Sequence, residues 1–150
     1  MGALTLVSRS TVYLDANIVI HIVEGHEKYR EAIAFLLEQI DTGRIAAITS
    51  ELTLAEVLVT PIRDEDQERV RAFEALLTDT PQFRMVPVHR SIMRRSAELR
   101  ATLGGSLPDA IHVATAEASA CKLFVSEDRR IRLPSTLTST NLIEFAETSS

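Results

Sequence analysis

The sequence predicts an α/β fold, a central and mostly parallel sheet flanked by helices on both faces. Three observations carry that expectation. Strand-like and helix-like stretches alternate along the chain, the order that parallel crossover units produce. The strand candidates Val12-Tyr13-Leu14, Ile45–Thr49 and Lys122–Val125 are short apolar runs, as strands buried on both faces are. Two of them end on acids, Asp15 after Leu14 and Glu127-Asp128 after Val125. That is the rim where open α/β sheets bind ligands.

Taken in order, the chain turns on Thr11–Ile20, TVYLDANIVI. A strand ends at Asp15, and Ala16–Glu24 follows as a short helix that breaks near Gly25. Asp15 has an ordinary structural role available as the cap of that helix. Lys28–Ile40 carries Tyr29, Ile33, Leu36, Leu37 and Ile40 at helical spacing, and Gly43 ends it. His21 and His26 have no metal-ligand spacing and read as solvated or capping residues. The second strand, Ile45–Thr49, leads through Ser50 as a cap into a helix over Glu51–Thr60, which Pro61 is expected to stop. Leu52, Ala55, Glu56 and Val59 share one stripe of that helix, so Glu56 reads as an acid on an apolar face. A charge placed there needs a partner, a cation or a raised pKa. Glu51, in the first turn, complements the helix dipole.

A helix over Asp66–Thr78, a third strand over Phe83–Val88 and a helix over Ser91–Leu103 follow. The Gly104-Gly105 loop then opens onto Ser106–Cys121, SLPDAIHVATAEASAC. Ser106 as cap, Pro108 in the first turn and Asp109 three residues on resemble a capping box, and the alanines make a helix narrow enough to pack closely on a sheet. His112, one turn beyond Asp109, reads as a core or boundary histidine, with the orienting of a substrate phosphate as its functional alternative. After the strand Lys122–Val125 come Arg129, Arg130 and Arg132, read as a solvated loop, and Asn141–Phe145 is expected as a last edge strand. No repeat or linker divides the chain, so residues 1–150 read as one domain, with a core from about 11 to 145 and short polar tails.

The net charge of −5 speaks against a nucleic-acid-coating protein but not against an enzyme that acts on nucleic acid. The one cysteine, Cys121, suits a buried structural thiol in a reducing compartment. With no membrane-length apolar run and no secretory signal read in Met1–Ser10, the expected location is cytoplasmic.

In a parallel α/β fold Asp15 and Asp128 leave the sheet at the same rim, and Glu56 and Asp109 lie on helices whose amino termini face it. Four acids gathered there call for a cation, and oxygen-only ligands favour Mg²⁺ or Mn²⁺ over zinc or copper. Such ions suit phosphodiester hydrolysis.

YLDANIVI, TSELTLAEVL, LPDAIHVATA and LFVSEDRRI, in this order and spacing, resemble the motifs of PIN-domain nucleases. The size and layout resemble the VapC-type toxins of bacterial toxin–antitoxin pairs. The resemblance spans about Thr11 to Phe145. It implies Asp15, Glu56, Asp109 and Asp128 as the four site acids, with Asn17 and Ser126 as polar neighbours of the metal. It also implies Mg²⁺- or Mn²⁺-dependent endoribonuclease activity, a homodimer, and a small antitoxin protein that covers the site. Glu127 departs from the pattern, standing where the family often has a neutral polar residue. An RNA substrate must reach an acidic pocket, which makes Arg94, Arg95, Arg129 and Arg130 candidates for steering its backbone. Two other readings stay open: another metal-dependent phosphoryl-transfer enzyme, and a PIN scaffold that binds a partner without cutting. Against an aspartyl-phosphate phosphatase, the place of its second acid is Asn17.

Overall fold

A computed structural model describes residues 10–149; residues 1–9, most of the segment in which no secretory signal is read, and Ser150 lie outside the described residues. Five strands form one parallel sheet: β1 (Ser10–Leu14), β2 (Ile45–Ser50), β3 (Phe83–Val86), β4 (Leu123–Val125) and β5 (Thr138–Thr140), in the order β3-β2-β1-β4-β5. The helices are α1 (Ala16–Glu24), α2 (Arg30–Asp41), α3 (Glu51–Arg63), α4 (Gln67–Leu76), α5 (Arg90–Leu103), α6 (Leu107–Ala118) and α7 (Leu142–Ser149), with a 3-10 turn at Glu27–Tyr29 before α2. Among the described residues no helix is long and apolar enough to cross a membrane.

The pleat of β1 divides the core. Val12 and Leu14 point into one apolar cluster with Ile18, Leu36, Phe73 and Phe145, from α1, α2, α4 and α7. Tyr13 points the other way, into a cluster with Ile92, Leu99, Ile111 and Val113 from α5 and α6. This is the period-two alternation of a strand buried on both sides. Helices therefore cover both faces, as expected from the sequence. The chain leaves β1 in one direction to β2 and β3, then crosses back to β4 on β1's other side. The carboxyl ends of β1 and β4 consequently flank the point where strand order reverses, the crevice in which such sheets place ligands.

Several boundaries differ from expectation. Asn141–Phe145 does not form an edge strand; the last strand is β5, and α7 begins at Leu142. The reason is a reciprocal cap: Glu144 N donates to Asn141 Oδ1 at 2.8 Å, and Asn141 N to Glu144 Oε1 at 3.4 Å. Leu142 and Phe145 are then buried one turn apart. A segment of five residues with three apolar side chains is too short for periodicity to separate strand from helix.

Pro61 does not stop α3, which continues to Arg63. Its ring is buried, and its carbonyl accepts from Asp66 N at 2.9 Å. The stripe of α3 expected to face the core is also corrected. Thr53, Val57 and Pro61 are buried, while Val59 is 55% exposed and Glu56 lies on the open side. Thr53 belongs inside because its hydroxyl meets that of Thr49 at 2.7 Å, a pairing that hydrophobic periodicity does not register.

Cys121 is buried and free, and burial pushes its thiol up to about 12. Such a thiol is unreactive at neutral pH.

Candidate active site

Asp15 is the first residue after β1 and the cap of α1. Its Oδ1 accepts from Ala16 N at 2.9 Å, and its Oδ2 accepts from Ser126 Oγ at 2.7 Å and Asn17 Nδ2 at 3.1 Å. Every partner is a donor, which fits an ionised carboxylate. Asp15 is nevertheless 6% exposed. Burial pushes its pKa up and the charge of Asp109 adds to the rise, while His112, Ser126 and the Ala16 amide pull it down. Capping alone does not account for this arrangement. An N-cap contributes about 1 kcal/mol, whereas removing a carboxylate from water costs several kcal/mol. Serine would cap as well without that cost.

Asn17 and Ser126 tie the loop after β4 to the start of α1. Asn17 Nδ2 also donates to Ser126 Oγ at 3.1 Å, and Asn17 Oδ1 accepts from Glu127 N at 3.1 Å. Ser126 Oγ accepts from Asp128 N at 3.0 Å. Both side chains thus act on Asp15 and on the loop that follows β4.

Asp109 stands in the first turn of α6. Ser106 Oγ accepts from its backbone N–H at 3.3 Å, half of the expected capping box. The return half is missing, for among the described residues the Asp109 carboxylate takes no hydrogen bond. The fold leaves this acid unused, close enough to Asp15 to perturb it.

Glu56 reaches the site from α3, its side chain 34% exposed, and its Oε1 lies 2.6 Å from His112 Nε2. Glu51, five residues earlier, is exposed at the helix start. His112 is 1% exposed, and its other nitrogen meets the Tyr13 hydroxyl at 2.6 Å. Residue spacing gave no reason to connect Tyr13, His112 and Glu56. The available signal was a histidine on the sheet-packed side of a helix, one turn from Asp109.

Asp128 is turned toward its own loop. Its Oδ1 accepts from the Arg130 backbone at 2.9 Å and from Arg130 Nε at 3.1 Å, and these bonds hold its carboxyl below the usual range. Glu127 faces away, accepting from Tyr29 Oη at 3.2 Å and from Leu142 N at 2.9 Å. Its role is to anchor the start of α7.

The arginines divide. Arg95 is held by Glu117 through bonds of 2.6 and 3.1 Å, while Arg94, 83% exposed, sits 3.7 Å from Glu98. Arg129 is exposed and lines a cleft of about 340 Å³ with Ser126, Ser139 and Thr140.

The oxygen-only donor set of Asp15, Asp109 and Glu56 fits a hard divalent cation in its chemistry, and a carboxylate whose pKa burial raises, with a second acid adding to the rise, is in an environment a cation relieves. As arranged, no three His, Cys, Asp or Glu groups among the described residues form a closed metal cage. Glu56 rests on His112 and Asp128 on Arg130, so the site is open rather than preformed.

Comparison with known proteins identifies the family and the fold. The family model described as the PIN domain matches residues 12–135. The fold is similar to three solved structures. VapBC2 from Rickettsia felis, bound to a DNA fragment from its promoter, superposes with a TM-score of 0.68 at 16% identity, over 87% of this chain and 98% of that one. A toxin–antitoxin complex from Klebsiella pneumoniae gives 0.60 at 25% identity, over 85% and 95%. FitAB bound to an IR36 DNA fragment gives 0.63 at 17% identity, over 87% and 94%. No curated protein sequence matches. With a match over most of its length, the chain belongs to the PIN-domain family, a family of nucleases that generally use divalent metal ions.

Proposed function

We propose that this chain is a Mg²⁺- or Mn²⁺-dependent endoribonuclease and the toxin of a toxin–antitoxin pair. The observation that carries the reading is Asp15: a buried carboxylate at the end of β1, beside an Asp109 carboxylate that the fold does not otherwise use. Asp15, Asp109 and Glu56 would hold the cation, with Asp128 as the fourth acid once it exchanges Arg130. A bound divalent ion supplies a Lewis acid for the phosphodiester and makes water more acidic. Asn17 and Ser126 orient Asp15 by donating to it, and the Ser126 bond opposes the rise that burial gives its pKa. Arg129 offers a cation beside the hydroxyls of Ser139 and Thr140, suited to a backbone phosphate. Arg130 and Arg94 are exposed cations of the same use, whereas the bonds of Arg95 to Glu117 assign it first to joining α5 to α6.

The toxin role is supported by the toxin–antitoxin complex from Klebsiella pneumoniae, similar over 85% of this chain. A cognate antitoxin would cover the acidic site, and the expected location is cytoplasmic.

Purified chain free of antitoxin is expected to cleave RNA with Mg²⁺ or Mn²⁺ and to stop when a chelator is added. Undiminished cleavage in chelator, or none with either ion across a panel of cellular RNAs, would contradict the proposal.

A homodimer is also expected. Val59 and Ile62, one turn apart on α3, are 55% and 58% exposed, an apolar pair suited to cover by another surface. Light scattering should report twice the chain mass at micromolar concentration; a monomer there would count against the dimer.

A further inference from the structure

Asp15 and Glu56 come from different elements, yet one buried nitrogen stands between them. His112 Nε2 lies 2.6 Å from Glu56 Oε1 and 3.8 Å from Asp15 Oδ1. An ionised carboxylate only accepts hydrogen bonds, so Nε2 carries the proton and gives it to Glu56. The ring is fixed from behind, where the Tyr13 hydroxyl meets Nδ1 at 2.6 Å. Tyr13 is wholly buried in β1 and stacks on Phe124 with ring centres 5.1 Å apart. With the proton on Nε2, Nδ1 is free to accept from the phenol hydroxyl.

Both ring nitrogens of His112 are thus committed to side chains, and those side chains belong to the two elements that carry Asp15 and Glu56. A histidine that merely filled the core would have no need to meet a partly exposed carboxylate at its rim. Glu56 uses only Oε1 in this contact and keeps Oε2 for another partner. Its long side chain would otherwise sample several rotamers, and ordering it would weaken whatever it binds.

We propose that His112, locked by Tyr13, is a positioning residue that holds the Glu56 carboxylate beside Asp15 for a divalent cation. This rests on the reading of the acids as a metal site, and it adds two residues that are not among the four acids. Hydrogen-bond partners of metal ligands contribute about 10- to 100-fold to metal affinity.

The test uses His112→Leu, which removes the donor, and His112→Gln, whose amide N–H reaches about as far as Nε2. Mn²⁺ binding is measured by calorimetry and by the Mn²⁺-induced rise in melting temperature, with no RNA present. His112→Leu is expected to weaken Mn²⁺ binding about 10-fold or more, and His112→Gln to restore most of the affinity. Tyr13→Phe keeps the Glu56 contact but frees the ring, and should give a smaller loss in the same direction. A purely structural His112 predicts lower melting temperatures in chelator with unchanged Mn²⁺ affinity, and that result would overturn the proposal. If His112→Leu does not fold, Tyr13→Phe decides, because an affinity equal to wild type also overturns it. Wild type that fails to respond to Mn²⁺ would overturn the metal-site reading itself, whereas a wild-type response shared equally by every variant would overturn only the role of His112.

Discussion

Glu56→Gln is expected to abolish RNA cleavage, by 100-fold or more, while Glu51→Gln keeps most of it. Both acids belong to α3, but five residues of helix separate their directions by roughly 140°, so they cannot address one site. The substitution at position 56 is selective for charge. Glutamine still offers an oxygen to His112 Nε2, so the 2.6 Å contact survives and the helix should keep its stability. What disappears is an anionic oxygen beside Asp15. Removing one oxyanion-hole hydrogen-bond donor costs about 3 kcal/mol, a factor of 10²–10³, and the loss of an anionic metal ligand is expected to cost at least as much. Equal loss in the two variants would mean that Glu56 has no special place.

This contrast also marks how far the sequence could be read. The strand–acid junction at Leu14-Asp15 was legible because an apolar run stops abruptly at a charge. The alternation of elements was enough to place Asp15 and the Ser126-Glu127-Asp128 stretch at one rim, where β1 and β4 indeed pair side by side. The helix carrying Glu56 was legible, but its inward face was not. Thr53 is buried through a hydroxyl pair with Thr49, and a polar residue in that position diverts any count of apolar spacing toward Val59. The partner that Glu56 was expected to need is His112, 56 residues away in sequence. Such a pairing depends on how α3 and α6 approach each other, which local pattern does not encode. The same limit hid the bonds of Arg95 to Glu117 and of Glu127 to Tyr29 and Leu142. It also hid α7, where a side-chain cap outweighs the strand-like composition of a short run.

Asp109→Asn is expected to lose cleavage to a similar extent and, in chelator, to melt no lower than wild type. The Asp109 carboxylate accepts no hydrogen bond among the described residues, and its charge adds to the rise that burial gives the pKa of Asp15. Like charges sharing one partly buried cleft repel, by an amount that salt and protonation reduce. Asparagine removes that repulsion and keeps nearly the same shape. The opposing loss is the attraction between an acid and the amino end of α6, about 0.3–1 kcal/mol, and the Ser106 bond to the backbone of residue 109 is untouched. Relief should therefore offset the loss. A variant clearly less stable than wild type in chelator would mean that Asp109 serves the helix and not the site.

The most direct measurement is a paired thermal melt of wild type and Asp109→Asn, each in chelator and in Mn²⁺. A metal centre built on these acids predicts that Mn²⁺ raises the wild-type melting temperature by mass action and raises that of Asp109→Asn much less. Identical Mn²⁺ responses in the two proteins would contradict it, because Asp109 could then not be a ligand.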